Sequence, residues 1–553
     1  MENVMFEALA KRIENLTLEL VNIQGVVGSS DENNVSEKVH EKFTEMEYFK
    51  KHPQNLMYVM AKDDEPLNRK SVVAVLKGEK AKSDKTIVLI GHTDTVGISD
   101  YGVNAEYATK PTQLIEKLRN VTLPEDARKD LESGEYYFGR GVFDMKCGTS
   151  TLMSIVEMLS KDVQNFEGNL VFAAVCDEEG GSKGMLAVVE ELIKLQEKEG
   201  FEYLAVIDTD YSAPRFEGDN TRYIYVGTVG KLMPSFYVIG AEAHAGDPFK
   251  GIDSNHISSA ITEEMNFNFD YCDEAEGEVT VPPISLRQQD LKPEYSVQTN
   301  RASYLYFNFS THSSTPDQMM DKVVKGAQKA FQKVVDRLQE EHKKYSESNN
   351  FPYQKLPWEA RVLTYGELYA KVKAEMGKEL DEIMDKLSDK LLEDSNIDDR
   401  IYSLKMVERL HELWSDKNPV VVAYYSPPYY PHIYVKGETD LEKKLMDTLN
   451  KVMKGNTSKY DVKVKKFYPY ISDLSYAAAP REAGAVESLM DNMPGYGKKY
   501  DLPIEEMQKL NLPVVNIGPF GKDAHKFTER LEKDYSFNVA PKLVYETIID
   551  LLK

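Results

Sequence analysis

The chain has 553 residues, 41% of them hydrophobic and 29% charged, a globular composition long enough for more than one core. Its 91 acidic and 68 basic residues leave a net charge of -23, which speaks against nucleic-acid and membrane-surface partners. Three cysteines (Cys147, Cys176, Cys272), no apolar run near the roughly 20 residues of a membrane span and no apolar signal core at the amphipathic start place the chain in a reducing cytoplasm.

An opening amphipathic helix over residues 2–26 leads into a Gly/Ser/Asn-rich loop at 25–34, and a second helix is expected around 35–49. Short apolar runs then alternate with helical stretches, which predicts an α/β domain whose mixed sheet is mainly parallel and flanked by helices. Four runs end in polar residues: 86–90 before Gly91-His92-Thr93-Asp94, 170–175 before Cys176-Asp177-Glu178-Glu179, 204–207 before Asp208-Thr209-Asp210, and 514–517 before the turn reaching His525. Loops at the carboxyl ends of parallel strands line one crevice, so parallel neighbours would bring these side chains together.

From residue 231 the pattern changes to a strand at 234–240, a helix at 254–266, strands at 284–291 and 302–310, and a long helix. That helix opens with Thr315 as N-cap, Pro316 in the first turn and Gln318 at the capping-box position. The prediction is an α+β domain at 231–366 inserted into a larger one made of 1–230 and 367–553. A charged helical stretch at 367–415 is read as an insertion in the second part, and the large sheet is expected to resume at 419–425.

Several residues at the strand ends suit metal chemistry. A metal-binding histidine usually donates its other ring N–H to a carboxylate or carbonyl, and in His92-x-Asp94 the acid is suitably placed. An isolated pair of this kind is more often a polar turn. Asp144 lies in Gly139-Arg-Gly-Val-Phe-Asp-Met-Lys146, where glycines permit close backbone approach and a two-oxygen carboxylate can bridge two cations. Neither this segment nor Gly227-Thr-Val-Gly-Lys231 has the spacing of a nucleotide loop. Glu178 and Glu179 would repel one another unless a cation or proton is shared. One can coordinate while the other serves as general base. Asp208 and Asp210 are alternative further ligands, and His525 adds a second imidazole. Imidazole with carboxylate suits zinc, with manganese and cobalt as alternatives.

In this order the segments resemble the di-zinc family of aminoacylase, carboxypeptidase G, peptidase T and succinyl-diaminopimelate desuccinylase. The resemblance rests on Gly91-His-Thr-Asp-Thr-Val96, Gly139-Arg-Gly-Val-Phe-Asp-Met-Lys146, Asp177-Glu-Glu-Gly180, Ala243-His-Ala-Gly246 and Ala524-His-Lys-Phe-Thr-Glu529. The long insertions, Ile471-Ser-Asp-Leu-Ser-Tyr476 and Pro427-Pro-Tyr-Tyr-Pro431 look like its arginine-utilisation (RocB-type) branch. The resemblance implies a phosphorylase/hydrolase-like catalytic domain and a lid domain that often forms homodimers. It further implies two divalent ions held by His92, Asp144, Glu179, Asp210 and His525, with Asp144 bridging. Asp210-Tyr-Ser matches the family's acidic turn better than Asp208 does. The same resemblance makes Glu178 the general base, Asp94 the acid that orients His92, and His244 the oxyanion stabiliser. Relatives often end a lid strand in Asp-x-Arg to grip a carboxylate; here Asn308-Phe-Ser310 stands there.

The expected activity is hydrolysis of an amide or peptide bond in a small peptide or N-acyl amino acid, in amino-acid (arginine) catabolism. The alternative is a family member without turnover that serves as a metal-dependent binding or regulatory protein.

Overall fold

The computed structural model describes residues 2–62, 67–394, 396–480 and 484–553. By packing the chain separates into two compact units. The first comprises Met1–Thr228, Ile433–Ala479 and Pro503–Lys553, the second Val229–His432 and Pro480–Leu502. Among the described residues no helix is long and apolar enough to cross a membrane.

The first unit is built on an eight-stranded mixed sheet. Its order is Leu56–Met60, Lys70–Lys77, Asn169–Val175, Lys85–His92, Glu202–Asp208, Val514–Asn516, Arg222–Tyr225, Val462–Lys465. The middle of the sheet is parallel: Lys85–His92 pairs in parallel with Asn169–Val175 on one side and Glu202–Asp208 on the other, and Val514–Asn516 runs parallel to Glu202–Asp208. These are the four runs singled out in the sequence, and they are neighbours. Asn169–Val175 is buried along its whole length, as is Lys85–His92 beyond its first residue, which is why both read as unbroken apolar runs instead of alternating ones. Helices Glu2–Val21, Lys146–Ser160, Asp440–Gly455 and Ala540–Leu552 supply apolar faces to the same core, through Leu16, Leu152, Leu449 and Val544 among others.

The second unit carries its own sheet, ordered Ile284–Asp290, Ala302–Thr311, Pro234–Ile239, Val420–Tyr425, Val362–Thr364, with Gly230–Leu232 also paired to Ala302–Thr311. Helix Pro316–Ser348 begins with the expected capping box from Thr315 and Gln318. Two expectations are corrected here. Val420–Tyr425 does not resume the large sheet; it pairs antiparallel with Pro234–Ile239. The charged helical stretch is likewise part of this unit. Its helices Tyr365–Met376, Glu379–Leu392 and Asp399–Leu413 bury Leu368, Leu380 and Leu410 in one core with Val422 and Tyr424. The cause is local. A fully buried strand such as Val-Val-Val-Ala-Tyr-Tyr has no polar face to show which sheet it joins.

Candidate active site

His92 is the last residue of its strand. Its backbone carbonyl accepts from Thr149 Oγ1 (2.9 Å), which ties the strand end to the first turns of helix Lys146–Ser160. Strand pairing continues one residue further, with Thr93 N donating to the Val175 carbonyl at 2.9 Å. Asp94 is therefore set beside the loop that follows Val175. Its carboxylate accepts from the amides of Glu178 (3.2 Å) and Glu179 (3.0 Å), so one buried acid orients both glutamates. The loop is braced from behind by Asp177, whose amide donates to Glu32 Oε1 (2.7 Å) and whose carboxylate pairs with Arg69.

Asp144 faces this loop from the Gly-rich segment. Its Oδ1 lies 3.1 Å from His92 Nε2, and its Oδ2 lies 3.0 Å from His525 Nε2. His525 Nε2 is also 3.0 Å from Glu179 Oε1. Glu178 Oε2 stands 3.9 Å from His92 Nε2, beyond hydrogen-bonding distance. His525 has a φ of 65°, in the left-handed region that non-glycine residues avoid at a cost of about 1–2 kcal/mol. The segments carrying Asp144 and His525 are held to each other by a buried pair that the sequence did not announce. Glu529 accepts from Arg140 (2.6 Å) and from the Gly141 amide (2.7 Å), and Arg140 also bonds Asp100. The one available signal was an arginine inside a glycine-rich motif, with a glutamate four residues after a candidate ligand.

The two aspartates after Glu202–Asp208 differ in how they are used. Asp208 Oδ1 accepts from the amides of Thr209 (2.7 Å) and Asp210 (3.2 Å), and Oδ2 accepts from the Ser472 hydroxyl (3.0 Å). Asp210 accepts at Oδ1 from the Tyr211 amide (2.7 Å) and is close enough to Asp144 to feel its charge. His92 Nδ1 meets the backbone carbonyl of Asp94 at 3.0 Å, with that residue's carboxylate farther away at 3.6 Å. The imidazole is thus oriented chiefly by the main chain of Asp94, and the carboxylate chiefly serves the glutamate loop. His244 belongs to the second unit, where it is exposed and its Nδ1 accepts from the Gly246 amide at 3.0 Å. Ser310 is half-buried in the strand Ala302–Thr311, in register with Lys231.

The buried acids and imidazoles of the cluster shift one another strongly. Burial pushes the carboxyls of Glu178 and Asp210 well above the usual range, and that of Glu179 upward. Burial also disfavours the imidazolium of His92, yet the Asp144 hydrogen bond and the charges of Glu178 and Asp94 prevail and hold its pKa well above normal. For His525 burial is likewise outweighed, by Asp144 and Glu179, and the pKa rises to about 11. Asp144 is held far below its usual value against its own burial, by the hydrogen bonds of both histidines. His92, Asp144 and Glu179 could hold a metal ion, since each offers a ligand atom and these lie within 4.8 Å of one another. Donor atoms on one tetrahedral zinc are separated by about 3.3 Å, given Zn–N and Zn–O bonds near 2.0–2.2 Å. The contacts of 3.0–3.1 Å around Asp144 are close to that spacing.

Comparison with known proteins shows the family of the chain. Protein RocB of Bacillus subtilis (strain 168) is 33% identical over 546 residues, covering 98% of this chain and 95% of that protein. A succinyl-diaminopimelate desuccinylase of Vesicomyosocius okutanii is 26% identical over 251 residues, 44% of this chain and 58% of that enzyme. Among solved structures, a tripeptidase from Staphylococcus aureus subsp. aureus Mu50 superposes with a TM-score of 0.53 at 14% identity over 98% of both chains, a likeness of fold. The profile of peptidase family M20/M25/M40 matches residues 88–549. With its strand-end histidine, acidic loop and central Asp144 in that frame, the chain belongs to peptidase family M20/M25/M40.

Proposed function

We propose that this protein hydrolyses an amide bond in a small peptide or N-acyl amino acid, using two divalent ions held by His92, Asp144, Glu179, Asp210 and His525. The observation that carries the reading is Asp144, with one oxygen toward each of two histidines and Glu178 outside those pairings. Two such ions, when bound, polarise the scissile carbonyl and make a bound water acidic enough to be deprotonated near neutral pH. Zinc suits the donor set, and manganese or cobalt would be accepted.

The chain's own residues supply the remaining steps. Asp144 fixes the two histidines relative to each other. Asp94 fixes the amides of Glu178 and Glu179, so that Glu179 turns to His525 while Glu178 stays on the His92 side. Glu178 takes the proton of the attacking water and returns it to the leaving amine. Its place beside the His92 imidazole, outside the Asp144 pairings, leaves its carboxylate available for both transfers. His244 is assigned to the oxyanion on the strength of the family motif alone. The resemblance of the Ile471–Tyr476 and Pro427–Pro431 segments to the arginine-utilisation branch would make the substrate one of amino-acid (arginine) catabolism. The test is a hydrolysis screen of N-acyl amino acids and dipeptides with zinc, manganese or cobalt, run beside Glu178→Gln. Turnover by the native chain that the variant lacks supports the reading; equal turnover by both removes it.

A further inference from the structure

His525 is the least enclosed of the residues around Asp144. Its side chain is 48% exposed, against 8% or less for His92, Asp144 and Glu179, so packing alone does not aim its imidazole. Its Nε2 nevertheless sits 3.0 Å from both Asp144 and Glu179. The loop that carries it is tightly turned: the Lys526 amide donates to the Asp523 carbonyl (3.1 Å), and the Glu529 amide to the Lys526 carbonyl (2.8 Å). Asp523, like His525, has a left-handed backbone, with a φ of 60°. Two such residues so close together are unfavourable away from glycine, and contacts from beyond the turn have to hold them.

Those contacts converge on Arg530, whose fully buried guanidinium meets three carboxylates. Nε donates to Asp130 (2.6 Å) and Nη2 to Asp126 (2.6 Å), both on helix Glu125–Ser133. Nη1 donates to Asp523 Oδ2 and to the Thr528 carbonyl (3.1 Å), and the Thr528 hydroxyl donates to the same Asp523 oxygen (2.8 Å). Both ends of the His525 loop are thereby closed onto one cation. The neighbouring Glu529 turns the other way, to Arg140 and the Gly141 amide in the segment of Asp144. Successive side chains at a strand face opposite sides. At the start of Arg530–Glu532 one dipeptide therefore grips the His525 loop with one side chain and the Asp144 segment with the other.

We propose that Arg530 is a positioning residue: through Asp523 it holds the His525 loop at the distance from Asp144 at which the two can share an ion. The proposal rests on the ligand role given to His525 above. Arginine chemistry is required for it. A planar guanidinium bonds carboxylates and a carbonyl at fixed angles, whereas a lysine ammonium has three donors and no plane. Neither Arg530 nor Asp523 is itself a ligand. Their loss is therefore felt at the ion on the His525 side and not at its neighbour beside His92.

The test titrates the full-length, zinc-reconstituted protein with a graded series of chelators and reads the zinc retained per chain, with thermal unfolding of the metal-free protein in parallel. The native chain should release two ions in separate steps, and His525→Ala should lack one of them. Asp523→Gly accepts the left-handed backbone and removes the carboxylate. It should hold that same ion tenfold or more weakly while the other ion keeps its native affinity. Arg530→Lys should do the same. Asp523→Asn, which restores an acceptor on a residue that tolerates this backbone, should recover most of the loss. A merely structural cluster would lower the unfolding temperature and weaken both ions alike; that result would overturn the proposal, as would native affinity for both ions in Asp523→Gly. Either variant decides if the other fails to fold, and failure of both would mark the cluster as structural and overturn the proposal. If the native chain holds fewer than two ions, or His525→Ala keeps both, the ligand reading fails and the clamp falls with it. Native behaviour of the Asp523 and Arg530 variants alone removes the clamp and leaves that reading standing.

Discussion

Asp144 divides its carboxylate between two histidines, Oδ1 to His92 and Oδ2 to His525, although the three residues are far apart in sequence. If this carboxylate bridges two ions, its loss should release both. Elemental analysis of reconstituted protein should find about two ions per native chain, about one in His525→Ala and close to none in Asp144→Ala. Two ions retained in Asp144→Ala would rule out a bridge.

Glu178→Gln should keep the full metal content and lose turnover by about 10²–10⁴-fold, the usual size of a general-base contribution. Loss of metal with turnover preserved would exchange the roles assigned to Glu178 and Glu179.

The Asp94 carboxylate holds the amides of both glutamates. Asp94→Ala should weaken metal retention by about 10–100-fold, the range typical of residues that orient ligands. Competition against a graded series of chelators measures this, and an unchanged chelator midpoint would assign the glutamate loop's order to other contacts.

Two glycines enclose the segment Thr209–Asp210. A Cβ on Gly148 would collide with the Thr209 carbonyl, and one on Gly518 with the Asp210 carbonyl. Gly518→Ala should therefore displace the Asp210 loop, lowering stability by about 1–3 kcal/mol and weakening metal binding with it. Native stability and native metal affinity together would show that the turn can yield.

Acid should weaken the second unit through His411. Burial first, then Lys417 and Arg301, depress its pKa to about 4, from an ordinary 6.5. The unfolded chain thus takes up a proton that the folded one refuses, and the stability from neutral His411 is lost as pH falls from about 6.5 toward 4. Each tenfold difference in proton affinity is worth about 1.4 kcal/mol, so the loss approaches about 3 kcal/mol. Thermal unfolding of the native chain and His411→Gln across this window should show a shallower pH slope in the variant; parallel slopes would exclude His411 as the cause.

Much of the cluster could be read from the sequence because its ligand types sit directly after apolar runs. His92 and Asp208 end parallel strands, Glu179 and Asp210 follow strand ends by a few residues, and chain order preserves that signal. What escaped reading depends on partners distant in sequence. Arg140 and Glu529 meet across 389 positions, and Ser472 and Asp208 across 264. Each residue sits in a motif of its own, but nothing local says that the two motifs meet. Val420–Tyr425 was assigned to the wrong sheet for the opposite reason: its local signal is strong but fits either sheet.

In the large sheet, Val514–Asn516 is inserted between Glu202–Asp208 and Arg222–Tyr225. On the ribosome, the edge of Glu202–Asp208 must therefore wait for some 300 further residues before its neighbour emerges, about 15–60 s at roughly 5–20 residues per second. An open strand edge is a template for pairing with other chains. This sheet cannot close early, because the second unit is made in the interval. His525 arrives with the closing strand, so a nascent or truncated chain ending before residue 514 would hold an unsealed sheet and only one of the two histidines around Asp144. The His525–Asp144 contact, and with it the full cluster, is therefore among the last features to form during synthesis.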